Sequence, residues 1–203
     1  MFMFHSKELF KEAVVRLMDE LNKPRQIVGA YAVKRVRITE PALISGGQKT
    51  TKTFVKVFVS PMPKDKKYTG NVLLKYADGS SAFCSLEKGA LDGMYERYAK
   101  PDQPSNDPLN VGPLLEMGPY MAGKREGTWN CPLHMAGIFQ FAPRIQVKFK
   151  KGEFVQAQTQ ASFEDNTFYV VKAKELQNFI RKHPTKISTQ RLDKNRKNEQ
   201  YTR

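Results

Sequence analysis

No stretch of this chain approaches the roughly 18 uninterrupted apolar residues that a membrane-spanning helix requires, so no helical span is expected. Cysteine is nearly absent. Cys84 and Cys131 are the only two thiols among 203 residues, too few for a disulfide framework. Met1 to Phe4 are apolar, but His5 and Ser6 follow at once, so the basic region and apolar run of an export leader are both missing. Glu8, Glu12, Asp19 and Glu20 in the first helical stretch argue against a mitochondrial presequence. These absences predict an intracellular, cytoplasmic protein with reduced thiols, or one held within a viral particle or nucleoprotein complex.

The residue patterns of catalysis are scarce as well. Gly46-Gly47-Gln48-Lys49-Thr50 ends like a phosphate-binding loop but lacks the upstream glycine at the required spacing, which argues against nucleotide hydrolysis. Cys131 and His134 stand as C-x-x-H, yet a structural zinc needs four ligands and the other candidates, Cys84, His5 and His183, are scattered. No metal, cofactor or catalytic residue is therefore predicted. A metal-dependent nuclease would need carboxylates clustered beside its basic surface. The basic region offers only Glu40 and Asp65, while Asp92, Glu96, Asp102 and Asp107 fall elsewhere. Cutting is the weakest of the readings considered.

What the chain has in excess is positive charge, and it is unevenly placed. Of the formal +14, residues 24–75 hold eleven basic against two acidic side chains, net +9, and residues 181–203 hold eight against two, net +6. Residues 76–127 are acidic, with five basic against eight acidic side chains. A locally basic surface concentrates polyanions and gains from releasing their condensed counterions.

Periodicity suggests an α+β fold: a mostly antiparallel sheet, with a small curved barrel as one form it can take, flanked by about three helices and followed by a basic C-terminal extension. The first helix is expected between the Ser6 cap and Pro24, with Leu9, Phe10, Ala13, Val14, Leu17, Met18 and Leu21 at helical spacing. A second is expected over residues 88–100, on Leu91, Met94, Tyr95 and Tyr98, and a third over 173–183. Strands are expected at 27–39 and 53–59 around a long loop at 40–51, and at 71–77 and 80–86 around Asp78-Gly79, a two-residue hairpin signal. Three more, at 144–149, 153–161 and 167–172, read as a meander. Residues 101–132 hold six prolines and four glycines yet many apolar residues, which suggests an ordered excursion without long regular elements. The domain boundary is placed at 183, with residues 184–203 as a basic tail.

Two rows of residues bear on function. Phe54, Lys56 and Phe58 share one face of a strand, and such a row lets rings stack on bases while the ammonium meets phosphate. The same row also suits a strand buried on both faces with one snorkelling lysine. Gln156, Gln158 and Gln160 share a face too, a pattern that outward-facing meander strands show without any ligand. The candidate nucleic-acid-binding residues are Lys34, Arg35, Arg37, Lys49, Lys52, Phe54, Lys56, Phe58, Lys64, Lys66 and Lys67, with Arg181, Lys182, Lys186, Arg191, Lys194, Arg196 and Lys197 near or in the tail. The expected function is non-enzymatic binding of nucleic acid, DNA or RNA, as a single-strand binder or RNA accessory factor. The alternative is a structural subunit of a large nucleoprotein or viral assembly, with neighbouring proteins as partners and no membrane.

Overall fold

Among the described residues the chain forms two helices and eleven strands, all pairing antiparallel. The computed structural model describes residues 6–43, 49–63, 65, 67–103, 105–132, 144–160 and 168–183. Helix α1 (Lys7–Asn22) begins where the Ser6 hydroxyl accepts the Leu9 amide at 3.2 Å. That cap satisfies one of the four amides a helix start leaves without a partner. Strands β1 (Ile27–Leu43), β2 (Lys49–Pro61), β3 (Gly70–Tyr76), β4 (Ser81–Glu87) and β5 (Ala90–Tyr98) follow. After a connection come β6 (Leu114–Met121), β7 (Lys124–Arg125) and β8 (Gly127–Pro132), then β9 (Arg144–Lys150), β10 (Glu153–Gln160) and β11 (Phe168–Lys172). Helix α2 (Ala173–Lys182) closes the described chain.

The strand order is β11-β10-β9-β8-β6-β5-β4-β3-β1-β2, with β7 as a short hairpin partner of β6. The sheet is open, with β2 and β11 as its two ends. This overturns the expected barrel and three flanking helices: among the described residues there are two helices, and they serve one large open sheet. Phe10, Val14, Val15, Met18 and Leu21 of α1 share one core with residues running from Val72 on β3 to Val171 on β11. The sheet therefore curves around α1, and the face it presents there is the inner face.

The helix expected over 88–100 is strand β5. Its apolar residues do recur at helical spacing, but tertiary pairing overrides that signal. Leu91, Tyr95 and Arg97 turn inward and are buried, while Met94 turns out and is 47% exposed. Gly93 at φ +95 takes a backbone conformation that side-chain-bearing residues rarely adopt, and it faces Tyr120 across the ladder. Residues 114–132 likewise contribute three strands near the middle of the sheet, in spite of their prolines. Pro119 sits where β6 leaves β8, to which it pairs at Met117, and turns into the β7 hairpin at Tyr120. Such an irregular place tolerates a missing amide donor. Its carbonyl accepts the Trp129 indole N–H at 3.1 Å, and a Cβ on neighbouring Gly118 would run into the same indole ring.

Under the C-terminal end of α1 lies a charged layer. Arg97 and Glu116 oppose each other across β5 and β6 and are ion-paired through Arg97 Nε and Glu116 Oε1; the two residues are 4% and 1% exposed. Burial works against the Arg97 charge, but Glu116 more than offsets it and raises the guanidinium pKa. The Arg125 guanidinium lies 4.9 Å from the centroid of the Trp129 ring and donates to the Leu21 carbonyl at 2.9 Å. Arg25 donates to the Glu20 carbonyl at 2.7 Å. The last turn of α1 contains no basic residue, so these two arginines bring positive charge to its negative dipole end from elsewhere in the chain.

Candidate nucleic-acid interface

Strand β1 is far longer than its neighbour on the sheet side. It pairs with β3 only from Ile27 to Ala32, whereas its pairing with β2 continues from Tyr31–Pro61 out to Leu43–Lys49. From Val33 to Leu43, therefore, β1 and β2 form a two-stranded ribbon beyond the rest of the sheet. Ten steps of about 3.4 Å between the first and last of these eleven residues give it a length of about 35 Å. No other described element packs extensively against β2. The residues that carry the chain this far are β-formers, Val33, Val36, Ile38 and Thr39 against Thr53, Val55, Val57 and Val59. The long loop expected at 40–51 is mostly strand: pairing extends through Glu40–Lys52 and beyond.

Register sorts the candidate side chains onto two faces, because directly opposed residues share a face and alternate ones do not. Lys34 opposes Phe58, Val36 opposes Lys56 and Ile38 opposes Phe54, in continuation of the inner face. Arg35 opposes Val57 and Arg37 opposes Val55, in continuation of the outer face. Arg35 and Arg37 thus lie back to back with Lys34, Lys56 and Phe58 rather than beside them. Lys34, Arg35, Arg37 and Lys56 are all exposed, and so are Val55 at 55%, Val57 at 37% and Phe58 at 52%. A strand buried on both faces does not expose these side chains so widely. Between Val33 and Val59 there are six basic residues and one acidic, Glu40, a net of +5.

The other candidates divide further. Lys49, Lys52 and Phe54 belong to β2 by backbone and register, but their side chains lie outside the described structure. Lys64, Lys66, Lys186, Arg191, Lys194, Arg196 and Lys197 lie outside the described residues altogether. Lys67 is exposed in a turn where its amide donates to the Asp65 carboxylate at 2.8 Å. Arg181 and Lys182 are exposed on the last turn of α2, where they suit the dipole. That helix packs on β10, β11 and α1, at the opposite end of the strand order from β2.

The remaining polar groups have structural employment. Burial pushes the Tyr98 phenol up to about 12, helped by its 2.8 Å hydrogen bond to Glu96, while the charge of Arg35 pulls the other way. Arg35, on the outer face, is therefore within electrostatic reach of Tyr98. Gln158 and Gln146 form an amide ladder with Asn130 across β10, β9 and β8, with donor distances of 2.8 and 3.2 Å. Asp92 accepts the Ala122 amide and Asp107 the Leu109 amide. Among the described residues no three His, Cys, Asp or Glu side chains cluster as metal ligands. Cys131 is fully buried, and burial pushes its thiol up to about 12; His134 lies outside the described residues. No described helix is long and apolar enough to cross a membrane. In comparisons with family models, curated proteins and solved structures, the chain matches none.

Two features were not anticipated from sequence. One is the free length of the ribbon, for which the β-forming runs at 33–39 and 50–59 were the available signal, although Glu40, Pro41 and Ala42 interrupt it. The other is the Arg97–Glu116–Arg125 layer, which local sequence does not reveal because its members meet only through strand pairing.

Proposed function

We propose that this chain holds nucleic acid without cutting it, and that the β1–β2 ribbon is the principal point of grip, assisted by the basic tail. The observation that carries the reading is a ribbon of net charge +5 exposed on both faces, with Lys34, Arg35, Arg37 and Lys56 all open to solvent. A single hairpin is at best marginally stable in water, so one about 35 Å long with half-exposed Val55, Val57 and Phe58 is best accounted for by a partner that covers it. Covering Val55 and Val57, which share a face with Arg35 and Arg37, is worth about 1 kcal/mol each, taking half of a full burial. The charge selects an anionic partner, and the scarcity of carboxylates on the ribbon favours holding over metal-assisted hydrolysis. An intracellular site follows from this reading, since that is where nucleic acid is met.

Fluorescence anisotropy on labelled oligonucleotides tests it. Replacing Lys34, Arg35, Arg37 and Lys56 together by alanine should flatten the dependence of log affinity on log salt by about 3.6, if each meets one duplex phosphate. Between 50 and 200 mM salt that corresponds to a difference of about 150-fold. An unchanged slope in a folded variant would remove the ribbon from the interface.

A second reading has its own support. The open ends β2 and β11 and the apolar side chains of the ribbon also suit a structural subunit whose neighbours in a nucleoprotein or viral assembly cover them. Concentration-dependent association that persists without nucleic acid and at high salt would favour that alternative.

A further inference from the structure

We infer that the ribbon takes its ligand as a B-form duplex, lying lengthwise in the major groove, rather than as a single strand spread over one face. The inference rests on the nucleic-acid reading above and narrows it to one ligand class.

A single-strand platform is a sheet face backed by a core, with aromatic rings spaced along it and cations at the margin. The ribbon has a different construction. Beyond Val33, which is still buried, side chains are open on both faces: Lys34, Lys56 and Phe58 are exposed on one side, and Arg35, Arg37, Val55 and Val57 on the other. A strand stacked on Phe58 would leave both arginines facing away from it. In a groove the phosphates line two walls, and long side chains from both faces of a thin ribbon can reach them around its edges.

The dimensions agree. A two-stranded ribbon has a backbone spacing of about 4.8 Å, and the major groove, about 12 Å wide and 8.5 Å deep, admits such a ribbon. Its length of about 35 Å, laid along the helical path of the groove, covers part of one duplex turn, whose axial rise alone is about 34–36 Å. Two-stranded ribbons also twist more strongly than larger sheets, in the sense that lets them follow a helical groove. An A-form RNA duplex offers no equivalent, because its major groove is deep and narrow. The chemistry of the outer face fits base edges as well: a guanidinium pairs with guanine O6 and N7, and valine methyls meet the thymine methyl. Arg35 and Arg37 alternate with Val57 and Val55 across that face.

The test uses the full chain in anisotropy titrations against a 20-base-pair DNA duplex, each of its single strands, and an RNA duplex of the same sequence. Methyl green then competes for the major groove and netropsin for the minor groove. The expected result is a preference for duplex DNA of about tenfold or more, with a salt slope about 0.9 rather than 0.7 per phosphate met. Methyl green should displace the protein and netropsin should not. Phe58→Ala should leave duplex affinity within about twofold, because in this pose no base stacks on the ring. Equal or tighter binding to single strands, dependence on Phe58, equal binding to the RNA duplex, or displacement by netropsin alone would each overturn the duplex inference and leave nucleic-acid binding standing. Failure to bind any of the polymers at low salt would overturn both.

Discussion

Removing the carboxylate of Glu116 should cost this protein more than any surface change. Glu116 is 1% exposed and pairs with Arg97, itself 4% exposed; Arg125 Nη2 lies 3.7 Å from Oε2, which makes no hydrogen bond. In Glu116→Ala the nearest remaining carboxylate to Arg97 is that of Glu20, 3.9 Å away on a side chain that is 50% exposed. An uncompensated buried guanidinium costs about 3–5 kcal/mol. At roughly 2–4 °C per kcal/mol for a chain of this size, the melting temperature should fall by about 6–20 °C. The pair itself is another matter, because replacing both members of a buried ion pair by apolar residues is often neutral or stabilising. Arg97→Met with Glu116→Leu should therefore recover most of what the single change loses. Urea unfolding followed by circular dichroism measures all four corners of the cycle, and the midpoints should move without a change in slope. Additive losses in the double variant would refute the coupling. A loss below about 1 kcal/mol for Glu116→Ala would mean that the carboxylate is not buried as described.

Two further outcomes follow from groups with shifted pKa values. Because burial pushes the Cys131 thiol up to about 12, it should be inert to Ellman's reagent at pH 8 in the native protein and react once urea unfolds the chain; prompt native reaction would contradict its position in the core. Glu175 joins the helices through Lys7 at 3.0 Å and Lys11 at 3.2 Å. Burial raises its pKa, but the hydrogen bonds from the two lysines outweigh that, so the carboxyl lies below its ordinary 4.5. Its contribution is thus full above pH 4.5 and disappears as pH falls through the lower folded value. Glu175→Gln should flatten the acid limb of a stability profile, modestly because the pair is partly exposed; a steeper limb would reverse the sign of this account.

How much of this could be read from sequence depends on whether the signal was local. The first helix was legible because five buried side chains recur at helical spacing between its cap and its stop. The β3–β4 hairpin was legible from Asp78-Gly79, with Gly79 at φ +83, but the Tyr76 amide donates to the Ser80 carbonyl, so the connection has three residues, Ala77, Asp78 and Gly79, instead of the two expected. Strand β5 was misread because Leu91, Met94, Tyr95 and Tyr98 imitate a helical stripe; what decides the conformation is the pairing of Arg97 with Glu116 and of Tyr95 with Gly118 on another strand. Proline likewise misled at 114–132, since the site that tolerates Pro119 exists only once β7 and β8 have formed. At the candidate interface the basic residues were legible as a cluster, but their division between two faces follows from register, which composition does not carry. Arg35 and Phe58 look like one patch in sequence and lie on opposite sides of a ribbon in space.

That division bears on why the chain extends β1 and β2 so far. Stability is poorly served by the extension: beyond Val33 the ribbon adds ladder hydrogen bonds at alternate pairs but no fully buried described side chain, and ordering each backbone position costs about 1–2 kcal/mol of entropy. Exposed valines and a half-exposed phenylalanine on an edge strand add a risk of edge-to-edge association. Lys56, exposed at the middle of that edge strand, and the arginines beside it reduce the risk, because charged side chains keep like edges apart. The same charges attract a polyanion, and the open ribbon lets one approach from either face. A feature unfavourable to the isolated fold and guarded against self-association is accounted for if, as proposed, binding supplies what folding does not.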